Sequence, residues 1–495
     1  MIRELEPLTG LAAELIRRAE RAGVSLIWRA QARFACQTLV RNGSVESATA
    51  SSSTGHGIQL FTSRGHTILG SRDDFLPQPA TTLLDHLAGA VGRADRLALE
   101  PAEICPLTPL NARAIPDVVP EFDSIDLPRA GRRLIELERE LRGAVPGAGI
   151  KLSYRTDLDC WRVFRSDGTD VLFAMPRCGL TMIASSNGGE GRNTVGASLH
   201  SPSPGCAWDD EYLVRFMARA KAAARLALAL PDAPAHPAGS YPVVIDYALA
   251  KGLAHEAFGH AAEADGYRSS VLAKDGRFEH GRKVGADHVT IVDEPVENDH
   301  AWQPFSANGV RRERTVIVDH GRLAGGLSDP WSAGPGGVAL SGAGRAESFR
   351  NGPVPRMTNI RIEVDDPLPA PGRFEDYGPE QVRDLLANAG VFRRHPVVSF
   401  LSGYSGGQVN TSSGDFVFNC KAIYRLSEGG VEFFKPAIFS GSMFGALHSI
   451  REAFGPLELD ALGYCGKWGQ SVPSSGGSHR FLVLDDHPTV RLGGG

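Results

Sequence analysis

The chain has 495 residues, 42% apolar and 22% charged, with a net charge of −5. That length predicts two or more domains, and the composition is that of a soluble globular protein. A pI near 6.3 argues against the basic footprint of a nucleic-acid binder. No apolar run is long enough for a membrane helix or a signal-peptide core, so the cytoplasm is the expected compartment.

Seven cysteines and no Cys-x-x-Cys predict free thiols in a reducing compartment. The 57 glycines predict many tight turns and a strand-rich chain.

A helix is expected over Thr9 to Ala22, with Leu11, Leu15, Ile16 and Ala19 on one face. Strand patterns follow at 26–28 and 34–40, then Asn42-Gly43, a hairpin signal, then strands at 57–61 and 66–69. Helices are expected over Thr81 to Val91 and Pro128 to Arg142. Strands at 161–164 and 171–174 flank a second hairpin signal, Asp167-Gly168, and another strand is expected at 181–184. The polar segment 187–192, rich in glycine, has no Walker lysine and no helix pattern after it, so it reads as a loop and not a phosphate cradle. Asp209 to Leu230 is a long Ala-rich helix.

Four prolines between Pro231 and Pro242 mark a linker. The expectation is therefore an α+β protein: a mixed meander domain over 1–230, a linker over 231–242, and a mostly antiparallel β domain over 243–495. In the second half, strand patterns dominate, with helices expected at Pro379 to Ala389 and Gly441 to Phe454.

The chemistry concentrates in His255-Glu256-Ala257-Phe258-Gly259-His260, which follows the strand-like Pro242 to Ile245. Two imidazoles and a carboxylate are what a zinc hydrolase needs: ligands for the metal and a base for its bound water. Common zinc proteases space the histidines by four; here the spacing is five. On a regular helix, residues five apart are separated by about 140° around the axis, against about 40° for residues four apart. A π turn would align His255 with His260, as would an opening of the helix at Gly259. A lower-ranked solution keeps the helix regular and pairs Glu256 with His260.

Catalytic zinc takes a third protein ligand. Cys465, Cys420 and the downstream histidines and acids are candidates. Cys465 lies between glycines, and Lys467 would favour its thiolate, although an isolated cysteine in such a loop is more often a turn residue. His280, His288, His300 and His320 read as hydrogen-bonded or surface histidines, and Asp287, Asp293 and Asp299 as solvated.

The motif, with the Glu263 and Asp265 that follow, resembles the active-site motif of the TldD/PmbA family of metallopeptidases. Pro355-Arg356-Met357-Thr358-Asn359, Gly406-Gly407-Gln408-Val409 and Cys465-Gly466-Lys467-Trp468-Gly469-Gln470 resemble other segments of that family. The resemblance implies zinc held by His255, His260 and Cys465, with Glu256 as catalytic base, and a TldD-type, metal-bearing subunit. It implies a paralogous PmbA/TldE-like partner in a heterodimer, or a homodimer, with no nucleic acid or membrane involved. Substrate would be an extended peptide against a strand edge; Gly406, Gly407, Tyr464 and Lys467 are the candidate contacts. The expected activity is hydrolysis of peptide bonds in unfolded or extended peptides. Trp468 and Asn410 depart from the family pattern and leave room for a specialised hydrolase of a small amide. A non-catalytic, lumen-forming subunit is the other alternative.

Overall fold

The computed structural model describes residues 1–97, 101, 103–188 and 191–493. The segment 187–192, expected from sequence to be a loop, lies partly outside the described residues; of the rest, 187–188 end one strand and 191–192 begin the next, paired with each other.

Two sheets organise the chain. The N-terminal sheet is built on β1 (Ser25–Arg41), β2 (Ser44–Phe61), β3 (Thr67–Arg72), β4 (Asn111–Ala114), β5 (Gly149–Arg165), β6 (Asp170–Gly188) and β7 (Gly191–Ser201). Its order is β3-β2-β1-β5-β6-β4, with β7 also on β6. All pairings are antiparallel except β4 with β6. Both local hairpin signals hold. Asn42 and Gly43 adopt positive φ (52° and 74°) between β1 and β2, and Gly168 does so (92°) between β5 and β6. The strands are longer than their apolar patterns. The first ten residues of β2, largely Ser, Thr and Ala, are exposed and paired along their length with β1.

Helices Thr9–Arg21, Pro77–Leu97, Leu127–Ala144 and Asp210–Ala229 cover one face of this sheet. Side chains alternate across a strand. Accordingly Trp28, Ala30 and Ala32 of β1 join the helix-side core with Leu15, Leu134 and Phe216. Ile27, on the other face, packs with Trp161 and Phe173 against Trp302, Phe305 and Ala346 of the C-terminal half.

The C-terminal sheet is mixed. In its middle, Gln470–Leu484 and Val397–Asn410 flank β8 (Val243–Asp246), antiparallel and parallel respectively. Gln470–Leu484 also pairs in parallel with Asn359–Val364; outward from there the pairings are antiparallel. All four residues of β8 are buried, which suits a strand enclosed by neighbours on both sides. The helix expected over 441–454 divides into a helix, Met443–Ser449, and a strand, Ile450–Glu458, because the apolar residues of 450–454 pair with Gln470–Leu484.

Helix Asp210–Ala229 is tied to the C-terminal half by charge. Arg219 donates to Glu375 at 2.7 Å and to Asp460 at 2.9 Å, Arg215 reaches Asp460 at 3.0 Å, and Tyr247 Oη donates to Asp460 at 2.7 Å. Among the described residues no helix is long and apolar enough to cross a membrane.

Candidate metal centre

The site begins at the end of β8. The Asp246 carboxylate accepts from Leu249 N at 3.0 Å and so caps the helix Tyr247–Gly252. The helix then widens into a π-helical turn over Leu253–Gly259. There His260 N donates to His255 O at 3.1 Å, an i to i+5 bond. Of the backbone solutions the five-residue spacing allows, the chain adopts the π turn. His255 and His260 are brought to one side, their ring centroids 5.1 Å apart and their planes perpendicular.

Cys465 arrives from a hairpin. Strand Gly463–Lys467 pairs with Gln470–Leu484, Cys465 opposite Val472. Trp468 and Gly469 form the turn, both at positive φ (50° and 73°), as a two-residue hairpin requires. Cys465 is buried, with Sγ 3.5 Å from His260 Nε2. One ligand atom from each of His255, His260 and Cys465 lies within 4.8 Å of the others. Metal bonds of about 2.0–2.3 Å would set tetrahedral donors roughly 3.3–3.8 Å apart, a small contraction from this arrangement.

The residues fit a cation. His255 is buried, and its Nδ1 has no hydrogen-bond partner. Burial, reinforced by the positive charges of Lys251 and His260, holds the His255 pKa well below the usual value, so the ring is neutral, as a metal ligand must be. Two imidazoles and one sulfur make a donor set suited to a borderline-soft divalent ion.

Supporting residues orient the donors. His260 Nδ1 lies 3.1 Å from Glu263 Oε2, which leaves Nε2 on the Cys465 side. Burial is the largest influence on the His260 pKa and lowers it, but Glu263 and Cys465 outweigh it and the pKa is raised well above the usual value, so a cation at Nε2 would take the place of a proton there. Glu263 is itself held by Lys467 Nζ at 2.9 Å, which also donates to Asp265 at 2.7 Å. This carboxylate behind an imidazole is the usual device for fixing ring tautomer and orientation. Arg356, fully buried, places Nε 3.3 Å from Cys465 Sγ and donates through Nη2 to the Cys465 carbonyl. Arg345 Nη1 donates to Met357 O and Pro473 O, strapping the Arg356 loop to the hairpin.

Glu256 stays outside the three-donor group but beside it. Its Oε2 is 3.9 Å from His260 Nε2, and its Oε1 accepts from Tyr404 Oη at 3.2 Å. Its side chain keeps 19% exposure, enough to meet solvent or substrate.

The remaining candidates separate. Lys467 is occupied by Glu263 and Asp265. Tyr464, on the strand face opposite Cys465, is exposed and packs edge-on against His300 in a cavity of about 510 Å³ between the two sheets. Gly406 and Gly407 sit at a pairing irregularity on the same strand as Tyr404, and a Cβ on Gly407 would come within 2.3 Å of the Phe418 ring. Cys420 is buried elsewhere, facing Ala437 O. His280 and His288 bond backbone carbonyls, and His320 meets Asp319. Asp293 departs from expectation: it is buried, paired with Arg312 at 2.6 Å, and accepts from Thr358 N. Tyr404, Arg356 and Lys251 were not singled out as site residues from sequence. Arg356 lies 109 positions from the cysteine it touches, and residue order carries no signal of that contact.

A family model described as the PmbA/TldA metallopeptidase C-terminal domain matches residues 238–477. A protein of Haemophilus influenzae named a metalloprotease TldD homolog is 32% identical over 321 residues, 63% of this chain and 61% of that one. A metalloprotease of Methanocaldococcus jannaschii is 35% identical over 255 residues, 51% of each. The chain thus spans about half to three fifths of the length of these curated relatives. The crystal structure of TldE from Thermococcus kodakarensis superposes with a TM-score of 0.76 at 14% identity, covering 98% of this chain and 100% of that one; at that identity the likeness is one of fold. Residues 238–477 thus match the C-terminal domain of the PmbA/TldD metallopeptidase family, and the chain as a whole shares the TldE fold.

Proposed function

We propose that this protein is a zinc-dependent hydrolase of peptide bonds in extended peptides, with His255, His260 and Cys465 as ligands and Glu256 as general base. The observation that carries it is the pairing of a three-donor group with a free carboxylate 3.9 Å from one donor nitrogen. Zinc bound there supplies Lewis acidity, lowering the pKa of water and polarising a carbonyl.

Glu256, oriented by Tyr404, accepts the proton of the attacking water and returns it to the leaving amine. Glu263 and Lys467 keep His260 from turning, and Arg356 keeps Cys465 in place. Beyond Leu401, no second strand pairs with Val397–Asn410 opposite its hairpin partner among the described residues. A peptide in extended form can add there by backbone bonding past Gly406 and Gly407. In this scheme residues 243–495 are the peptidase domain, 1–230 form a wall over it, and 231–242 join the two. A paralogous or identical subunit completes the assembly in the cytoplasm, a compartment that suits seven free cysteines.

The test is zinc content and peptide hydrolysis of the purified protein. Cys465→Ala and His255→Ala should lose zinc, and Glu256→Gln should keep zinc and lose hydrolysis by at least about a hundredfold. Full zinc in both ligand variants would sink the site.

A further inference from the structure

On the far side of Tyr404 from Glu256 lies a cavity of about 290 Å³, bounded by β7, the motif helix and strand Val397–Asn410. Tyr404, whose hydroxyl reaches Glu256, forms part of its wall. Two lysines line it as well. Lys251, 3% exposed, has Ser474 Oγ at 3.2 Å as its hydrogen-bond partner, and Lys421 has Gly196 O at 2.8 Å. Neither ammonium is paired with a carboxylate among the described residues.

That arrangement is costly. A cation taken out of water without a direct counter-ion loses hydration that nothing replaces. Burial lowers the pKa of both amines. Each ammonium carries three N–H donors and uses one on a neutral oxygen. The acids that line the cavity are committed elsewhere. Asp246 accepts from Leu249 N and Gly403 N, and Asp460 is held by Arg215, Arg219 and Tyr247. Arg219, the third cation in the wall, is neutralised by Glu375 and Asp460. Lys251 feels the charge of Glu256 and Lys421 that of Asp246, but neither lysine makes a direct ion pair, so each keeps N–H donors facing the cavity. Around them stand Tyr377, Phe400 and Tyr424, an aromatic wall suited to an apolar side chain.

We infer that this cavity receives a carboxylate of the substrate, held between Lys251 and Lys421, with an adjoining apolar side chain against the aromatic wall. The volume admits about one residue. A carboxylate lodged there is separated from Glu256 by the Tyr404 side chain, so the bond presented for cleavage is close to the end of the peptide. The inference deepens the peptidase function and rests on it. The group is the α-carboxylate of the last residue or a side-chain carboxylate near it, and the two sources are separable.

The experiment measures binding to the zinc-loaded Glu256→Gln protein, so turnover does not intervene. The probes are an alanine tripeptide extended by a C-terminal phenylalanine, as free acid and as amide, and a second amide with glutamate or glutamine in place of phenylalanine. One carboxylate-bearing peptide should bind at least about tenfold more tightly than its neutral counterpart, the gain of a charge-assisted contact. In Lys421→Met and Lys421→Gln the gap should close to about twofold or less. A free-acid preference identifies the terminal carboxylate, and a glutamate preference the side chain. Equal binding within both pairs, no binding at all, or a gap that survives in both Lys421 variants overturns the inference. Hydrolysis by the unsubstituted protein is read separately. Its absence, with the carboxylate preference intact, would count against the peptidase function and leave the site standing.

Discussion

Gly259 and Met357 are in such close contact that a Cβ built on the glycine would lie 2.0 Å from the methionine sulfur. Ile360 Cδ1 would be 3.0 Å away on the same side. Gly259 ends the π turn, and Met357 adjoins Arg356, which holds Cys465. One missing methyl group therefore links the two-histidine segment to the loop that positions the third donor.

Gly259→Ala should accordingly push Met357 from a fully buried position. Overpacking of this kind costs about 1–3 kcal/mol. The added helix propensity of alanine, about 1 kcal/mol, offsets only part of that. Urea denaturation should show net destabilisation. The double variant Gly259→Ala with Met357→Ala should be less destabilised than the sum of the two single changes, since the second removes the clash.

Glu263→Gln tests the support behind His260. The substitution keeps the shape but weakens the hold on Nδ1 and leaves Lys467 with Asp265 alone. Losses of about 10–100-fold in metal affinity are usual for such partners. Competition with a chelator should show this while the far-ultraviolet spectrum is unchanged. Unaltered affinity would mean that His260 is oriented by packing alone.

Tyr404→Phe removes the hydroxyl that donates to Glu256 Oε1 at 3.2 Å. With zinc retained, the peptidase scheme predicts a fall in kcat larger than any rise in KM, because the residue orients the base. A change confined to KM would make Tyr404 a substrate contact only.

The ion cluster at Asp460 predicts a pH dependence of stability. Burial is the largest influence on Asp460 and raises its pKa, yet Arg219, Tyr247 and Arg215 together hold it below the usual carboxylate value. A depressed folded pKa means stability that is present above the unfolded value, near about 4, and lost as pH falls through the folded one. Asp460→Asn should cost about 2 kcal/mol at pH 7. Its penalty should shrink as the pH is lowered below about 4, where the unfolded-state carboxylate becomes protonated, and should level off once the pH passes below the depressed folded pKa. A penalty independent of pH would assign Asp460 a packing role.

Local features of the fold were legible in the residues. Asn42, Gly43 and Gly168 specify their turns through positive φ, and the five-residue histidine spacing narrows the backbone to a π turn or an opening at Gly259. Long-range features were not. The exposed half of β2 has no alternating apolar pattern, so its pairing could not be read. Asp293 looks like any solvated acid until Arg312 and Thr358 close over it. Cys465 was indistinguishable from a turn cysteine on spacing, and only family resemblance raised it. Lys251 gives no hint in the sequence that it is buried, because the surfaces enclosing it come from segments as far as 223 residues away.

The 205 positions separating His260 from Cys465 also set an order of events during synthesis. At about 5–20 residues per second, the third donor leaves the ribosome roughly 10–40 s after the second. The strand that carries its hairpin is also the one that closes over β8. A growing chain can display both histidines and still be unable to assemble the centre, so whatever chemistry it performs is withheld from the nascent protein until the hairpin carrying Cys465 has been made.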